Sequence, residues 1–395
     1  MFIANGIEKA TSSVGAACGN CDGDWPRTCR SYGASESAGA AAINITLLTE
    51  LSAEQPLFAK PPKPGHQRRN SASSASLRFI PLARGLGLLL LVCCVVTPAV
   101  AAENHPHKML LMDESRSRVH YVDLDDATKS WEIVFPKRYR DVQLIGNRRL
   151  LVSSDSGFCE YDWDTRRQVA EFRDASMAGS ESVRRLPDGR TIVGCNKRNA
   201  DKTTAIVFHE LDKANKPLRT ATFDGLNTLR LFRLSSRGTL LFGANKTFII
   251  EGNLDGKILR KIEIKDGGHF YEVLEKPDGH WLAAGGYGAF IVELDADGKE
   301  LKRWGGKPGP AGLGFLFFGA MHPLKDGRIV IANWTGHGAQ DSEKGHQVLM
   351  FAPDGKLLWS WHDPKLAGTI HRVTVLDDLD VTAPFEERPA GSKNP

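Results

Sequence analysis

From about Met109 to Val381 the apolar positions either alternate with polar ones or gather in runs of four to eight, and clusters of Gly, Asp and Asn interrupt them. Alternation and short apolar runs bounded by turn residues are the signature of β-strands, and no stretch of helical length carries a 3.6-residue apolar period. The domain is therefore predicted to be nearly all β. The pattern recurs about every 40 to 50 residues, the period of a four-stranded propeller blade. Within each unit an A strand leads through a tight turn to an apolar B strand, a loop, an alternating C strand, a second turn and a D strand. The A–B turns read Gly146-Asn147, Pro187-Asp188-Gly189, Ser236-Arg237-Gly238, Pro277-Asp278-Gly279 and Lys325-Asp326-Gly327; the C–D turns include Asp255-Gly256-Lys257, Asp297-Gly298-Lys299 and Asp354-Gly355-Lys356. Gly supplies the positive φ such turns need, and Asp or Asn tolerates it.

A strands start near Asp141, Val183, Leu231, Tyr271, Ala320 and His371. The first unit, Lys108 to Phe135, has B, C and D but no A, whereas His371 to Leu376 is an A strand with nothing after it. The two fragments complete one another, and pairing them removes the open edges of the ring. The predicted fold is a six-bladed β-propeller of four-stranded antiparallel blades over residues 103–385, followed by a flexible tail, 386–395. Seven blades is the alternative, should the long sixth unit merge two.

In such a blade the A–B and C–D turns lie on one face and the B–C and D–A loops on the other. The first set is short and uniform, while the second includes residues 304–319 and the stretch from Asn333 to His346. Binding residues concentrate on loops held by a rigid scaffold, so the long-loop face is the expected site. Trp334 and His337 stand there between glycines, placed to stack on a sugar or another flat ligand, with Trp334 alternatively covering the end of the core. Aligning the A strands on their following turns puts Arg140, Arg230 and Arg372 in one column near the axis, with His269 and His371 in the column before. Guanidiniums gathered without carboxylates favour a planar anion such as carboxylate, sulfate or phosphate, and imidazoles serve proton transfer if chemistry occurs. The competing expectation is that each arginine pairs with a local acid, for instance Asp141 or Glu272. The candidate ligand-binding set is thus Arg140, Arg230, Arg372, His269, His371, Trp334 and His337. No metal site is predicted, because His337, Asp341, Glu343 and His346 match no ligand spacing.

The first quarter of the chain has a different character. Residues 1–76 are rich in Ser, Ala, Gly and Pro and are expected to be disordered or untranslated, with the true start near Leu77. Residues 77–102 read as a signal peptide: Arg78 and Arg84, the apolar run Leu86 to Val96, then Ala99-Val100-Ala101. That run is only about half of the roughly 20 residues a spanning helix needs, so contact with the membrane is expected only in transit and the destination is periplasmic or extracellular. Of seven cysteines only Cys159 and Cys195 follow the expected cut, either bridged or separately buried. A formal net charge of +4 with no block of like charges gives no electrostatic case for nucleic acid.

The C–D units Val292-Glu293-Leu294-Asp295-Ala296-Asp297-Gly298-Lys299 and Phe351-Ala352-Pro353-Asp354-Gly355-Lys356-Leu357-Leu358-Trp359 resemble those of bacterial exported propellers of the quinoprotein-like and arylsulfotransferase-like kind. The resemblance covers about Met109 to Asp377 and rests on blade motifs, which specify fold rather than activity. It implies an eight-bladed ring with an adjacent-cysteine disulfide for a quinone enzyme. Six units, and a sole adjacent pair, Cys93-Cys94, inside the signal, argue against a quinone cofactor, and the cofactor is otherwise undetermined. No catalytic histidine for sulfotransfer aligns. Two function classes therefore stay open: a non-catalytic exported protein binding a small or polymeric anionic or carbohydrate ligand, and a transferase, lyase or hydrolase using Arg and His groups at the axis.

Overall fold

The computed structural model describes residues 105–384, so the extension 1–76, the signal segment 77–102 and the tail 386–395 lie outside the described residues. Twenty-four strands, β1 (Lys108–Asp113) to β24 (Ile370–Val375), form six four-stranded antiparallel sheets. Five sheets each take four consecutive strands in sequence order, over residues 142–173, 180–224, 232–263, 273–305 and 318–361; the remaining sheet sets β24 beside β1, followed by the strands Arg118–Asp123 and Trp131–Val134. The chain is thus a six-bladed β-propeller, and no seventh sheet occurs among the described residues. Closure is the predicted one: Met109 pairs with Val375, Leu110 with Thr374 and Leu111 with Val373. Beyond the strands there are only short 3-10 turns, the longest, Ala339–Lys344, within the long loop of the sixth blade.

The tight turns are built as their sequences require. Gly189 and Gly256 hold φ of 88° and 80°, and Asp188 and Asp295 accept hydrogen bonds from the backbone N–H of Arg190 (3.0 Å) and Lys299 (2.9 Å). Burial grades outward from the axis. Every residue of β24 is buried, whereas most of the outer strands β7 (Gln168–Arg173) and β11 (Pro217–Asp224) is exposed. Neighbouring blades are joined by apolar wedges: Phe208 and Phe223 of the third blade meet Phe232 and Phe242 of the fourth, with Phe208 edge-on to Phe232 at 5.2 Å. Trp304 bridges the fifth blade to the sixth by donating its indole N–H to the Ala352 carbonyl at 3.0 Å. Cys159 and Cys195 are separate, buried free thiols, and burial pushes them up to about 11 and about 12.

The A strands are also latched side chain to backbone. Asp141 accepts from Val183 N (3.2 Å) in the next blade, Ser182 Oγ from Phe232 N (3.2 Å), and Glu272 from Met321 N (2.7 Å). These bonds fix the equivalence of the strands: Asp141, Ser182, Leu231, Glu272 and Ala320 occupy one layer of the ring, and Arg372, preceding Val373 in β24, belongs with them. Arg184, from β8 (Ser180–Arg185), meets Asp141 at 2.9 Å, and Arg233, from β12 (Phe232–Leu234), bridges Asp141 (3.5 Å) and Glu272. Arg372 reaches Asp141 at 3.6 Å and Glu272 at 3.4 Å. Since Arg233–Asp141 and Arg372–Glu272 link blades that are not neighbours, the cluster crosses the centre of the ring and plugs its axis with buried, interlocked charge.

Candidate functional site

One residue before that layer, the chain presents Arg140, Glu181, Arg230, Tyr271 and His371, and these stand at the long-loop end of the axis. A pocket of about 330 Å³, counting its open mouth, is lined by Arg140, Arg230, Tyr271 and His371 together with Glu114, His269, Tyr287, Phe317, Trp334 and His337. The pairs Arg140-Asp141, Tyr271-Glu272 and His371-Arg372 follow one rule: the first residue lines the pocket and the second enters the plug. Successive strand residues face opposite ways, so a shift of one residue exchanges the two fates.

That rule corrects the sequence alignment. Of the candidate set, the structure brings Arg140, Arg230, His269, His371, Trp334 and His337 to one pocket and sends Arg372 one layer deeper, to Asp141 and Glu272. The local-acid expectation thus describes Arg372. It was misaligned because β24 has no A–B turn after it, its B strand being β1 near the start of the domain, so the count made from the turns slipped by one there. The expectation of arginines without carboxylates also fails, since Arg140 sits 2.5 Å from Glu181 and 3.7 Å from Glu114, and Arg230 is 3.7 Å from Glu181. Glu114, Glu181, Tyr271, Tyr287 and Phe317 escaped the sequence reading. The dipeptides Asp141-Val142, Ser182-Val183, Glu272-Val273 and Arg372-Val373 were the available signal, for the residue before each is Arg140, Glu181, Tyr271 or His371.

The wall contributed by the fifth and sixth blades is aromatic. Phe317 lies edge-on to Tyr287 (4.8 Å), Trp334 (5.4 Å) and Tyr271 (5.7 Å), and Trp334 edge-on to His337 (4.6 Å). Trp334 is 9% exposed and therefore both closes the core and faces the pocket, whereas His337 stands largely in solvent at the rim. His269 occupies left-handed backbone, φ 66°, with its N–H donated to the Lys246 carbonyl (2.8 Å) and its ring stacked on Tyr287. A non-glycine residue in that region carries strain that its surroundings must hold. Gly286 holds it: a Cβ there would stand 2.0 Å from the Gly268 carbonyl oxygen and 2.2 Å from that of His269.

The pocket is polar beyond its internal needs. His269 Nε2, Tyr271 Oη, Trp334 Nε1 and both ring nitrogens of His371 are buried without a hydrogen-bond partner in good geometry, although Tyr271 approaches Arg140 and Trp334 approaches Glu114 closely enough to bear on their ionisation. Burial first, then the Arg230, Lys246 and Arg140 charges, depress His269 to about 4. Burial likewise takes His371 to about 4, with Glu114 opposing and Arg140 assisting. Burial works to raise Glu114, but His371, Arg140, His337 and the Trp334 N–H together hold it below its ordinary value. For Arg140, burial is outweighed by Glu181, Tyr271 and Glu114, which strengthen its hold on its proton. At neutral pH the pocket thus offers the Arg140 guanidinium and the Glu114 carboxylate beside the neutral imidazoles of His269 and His371.

No protein-family model and no curated protein matches this chain. Solved structures do. A protein of unknown function from Bacteroides caccae superposes with a TM-score of 0.57 at 20% identity, covering 68% of this chain and 98% of that one. A streptogramin B lyase gives 0.43 at 14% identity (65% and 80% covered), and the calcium-binding protein regucalcin from Agrobacterium tumefaciens gives 0.44 at 16% (65% and 87% covered). At these identities the likeness extends to the fold alone.

Among the described residues the one cluster with metal-ligand atoms in mutual reach is Asp278, His280 and Glu293. Lys276 already occupies it, 2.9 Å from Asp278 and 2.5 Å from Glu293.

Proposed function

We propose that this chain is an exported β-propeller that binds a small organic acid carrying a flat ring, in the cup at the long-loop end of its axis. The observation that carries the reading is the set of unpartnered buried polar atoms around that cup. Such atoms are costly unless something completes their hydrogen bonds, and those of His269, Tyr271, Trp334 and His371 converge on one pocket. Arg140 and Arg230 supply fork-shaped donors for a carboxylate, sulfate or phosphate, and the Tyr287–Phe317–Trp334 wall supplies faces and edges for a ring. Export to the periplasm or medium rests on the signal-like segment 77–102. Calorimetric titration with benzoate and benzenesulfonate tests the reading: saturable one-to-one binding of at least one supports it, and no binding of either at millimolar concentration overturns it.

A catalytic reading is favoured by one feature. His371 is neutral at physiological pH, open at both ring nitrogens and beside the Glu114 carboxylate, as a proton-transfer group should be. Proton NMR of a bound acid in deuterated buffer separates the readings. A lost carbon-bound proton signal or a new species marks an enzyme, and an unchanged acid marks a binder.

A further inference from the structure

We propose that the cup takes up one proton with each acid anion, on the imidazole of His269, so that it captures the elements of the neutral acid and releases them as pH rises. The inference rests on the binding reading above and adds what the charges around the cup require. The two guanidiniums that would meet the anion are already engaged: Arg140 and Arg230 are matched by Glu114 and Glu181, each within 3.7 Å of at least one guanidinium. An anion placed there competes with Glu114 and Glu181 for those guanidiniums, and a further positive charge inside the cup would strengthen its hold where water is excluded.

A proton taken up inside the cup supplies that charge, and the geometry restricts where it can go. Glu114 is surrounded by the cationic or cation-capable Arg140, His337 and His371 and holds its carboxylate form. Tyr271 is already protonated, burial having raised it. His371 faces Glu114, Arg140, Asp113 and Arg372, charges of both signs. His269 faces cations: Arg230 from the entry to β12, Lys246 from the loop after β13 (Leu240–Ala244), and Arg140 from the entry to β4 (Val142–Leu144). On its remaining side the ring stacks on neutral Tyr287. Its Nε2 is buried and unpartnered in the same cup. An anion beside Arg140 and Arg230 offsets the cationic repulsion that adds to burial in keeping this imidazole neutral, and gives its new N–H an acceptor. By linkage, binding raises the His269 pKa, and protonation of His269 tightens binding by the same factor.

The experiment uses the mature protein, with benzenesulfonate as a probe that stays ionised throughout and benzoate as the carboxylate. Titrations between about pH 5 and 8, in buffers of differing ionisation enthalpy, should show close to one proton taken up per benzenesulfonate and an affinity falling up to about tenfold per pH unit. His269→Asn, a replacement compatible with left-handed backbone, should bind with an affinity flat in pH and no proton uptake. NMR of the histidine ring in the unmodified protein gives an independent reading: its pKa should rise on addition of benzenesulfonate. Binding that is independent of pH, binding without proton uptake, or uptake that persists in a folded His269→Asn protein each overturns the inference while leaving the binding reading intact. Absence of binding by either probe at every pH overturns both.

Discussion

Arg230 and Arg372 carry the same guanidinium on the A strands of two blades, and their surroundings give them opposite consequences. Arg230 is 20% exposed, with Glu181 at 3.7 Å. Arg230→Ala should weaken benzoate binding by about 1.5–3 kcal/mol, the worth of a charge-assisted hydrogen bond, while moving the urea midpoint little. Arg372 is buried between Asp141 and Glu272. Arg372→Leu leaves those carboxylates under-compensated and should cost about 3–5 kcal/mol of unfolding free energy. Urea denaturation of both variants tests the assignment; an Arg372→Leu protein of unchanged stability with lost binding would restore the alignment made from the turns. The residue types of the cup could be read from the sequence because arginine, histidine and tryptophan near strand starts are visible in one dimension. Their fates could not, because one residue of slip in a period of two moves a side chain from cup to plug, and only the latches from Asp141, Ser182 and Glu272 to the following blade set the register.

At the scale of elements, the turns were legible and the loops were not. Pro-Asp-Gly and Asp-Gly-Lys demand positive φ locally, so their conformation follows from three residues. The strain at His269 instead depends on Gly286, seventeen positions on, whose missing Cβ lets Tyr287 N donate to the Gly268 carbonyl at 2.6 Å. Gly286→Ala should force these loops apart, abolishing ligand binding at modest cost in stability; a variant that binds as well as the parent would show that the contact does not hold the site. Strand β24 is the other element with a decisive role. A chain truncated after Thr369 loses the partner of β1, exposes a bare edge, and should lose cooperative urea unfolding and aggregate. Retention of the parent's sharp transition would mean the ring does not depend on this closure.

Considered whole, the molecule is a ring whose fold followed from repetition and whose acid sensitivity follows from what the ring buries. His269, His322 and His371 are each depressed to about 4, by burial first, with nearby arginine charge adding to it. Their folded-state values lie below the ordinary 6.5, so the unfolded chain binds more protons in between. Stability should therefore be full above about pH 6.5 and decline as pH falls toward 4. Unfolding free energies measured across that range check the sign, and a stability flat from pH 7 to 4 would contradict it. A ligand that protonates His269 in the folded state should reduce the decline.

His371 belongs at once to the strand that completes the first blade and to the floor of the cup. A chain growing from its N-terminus therefore completes the cup only when residues 370–375 dock against β1, laid down some 260 residues earlier. On the binding reading, occupancy of the cup should then report a closed ring: a chain that stops before β24 lacks His371 and should hold no acid.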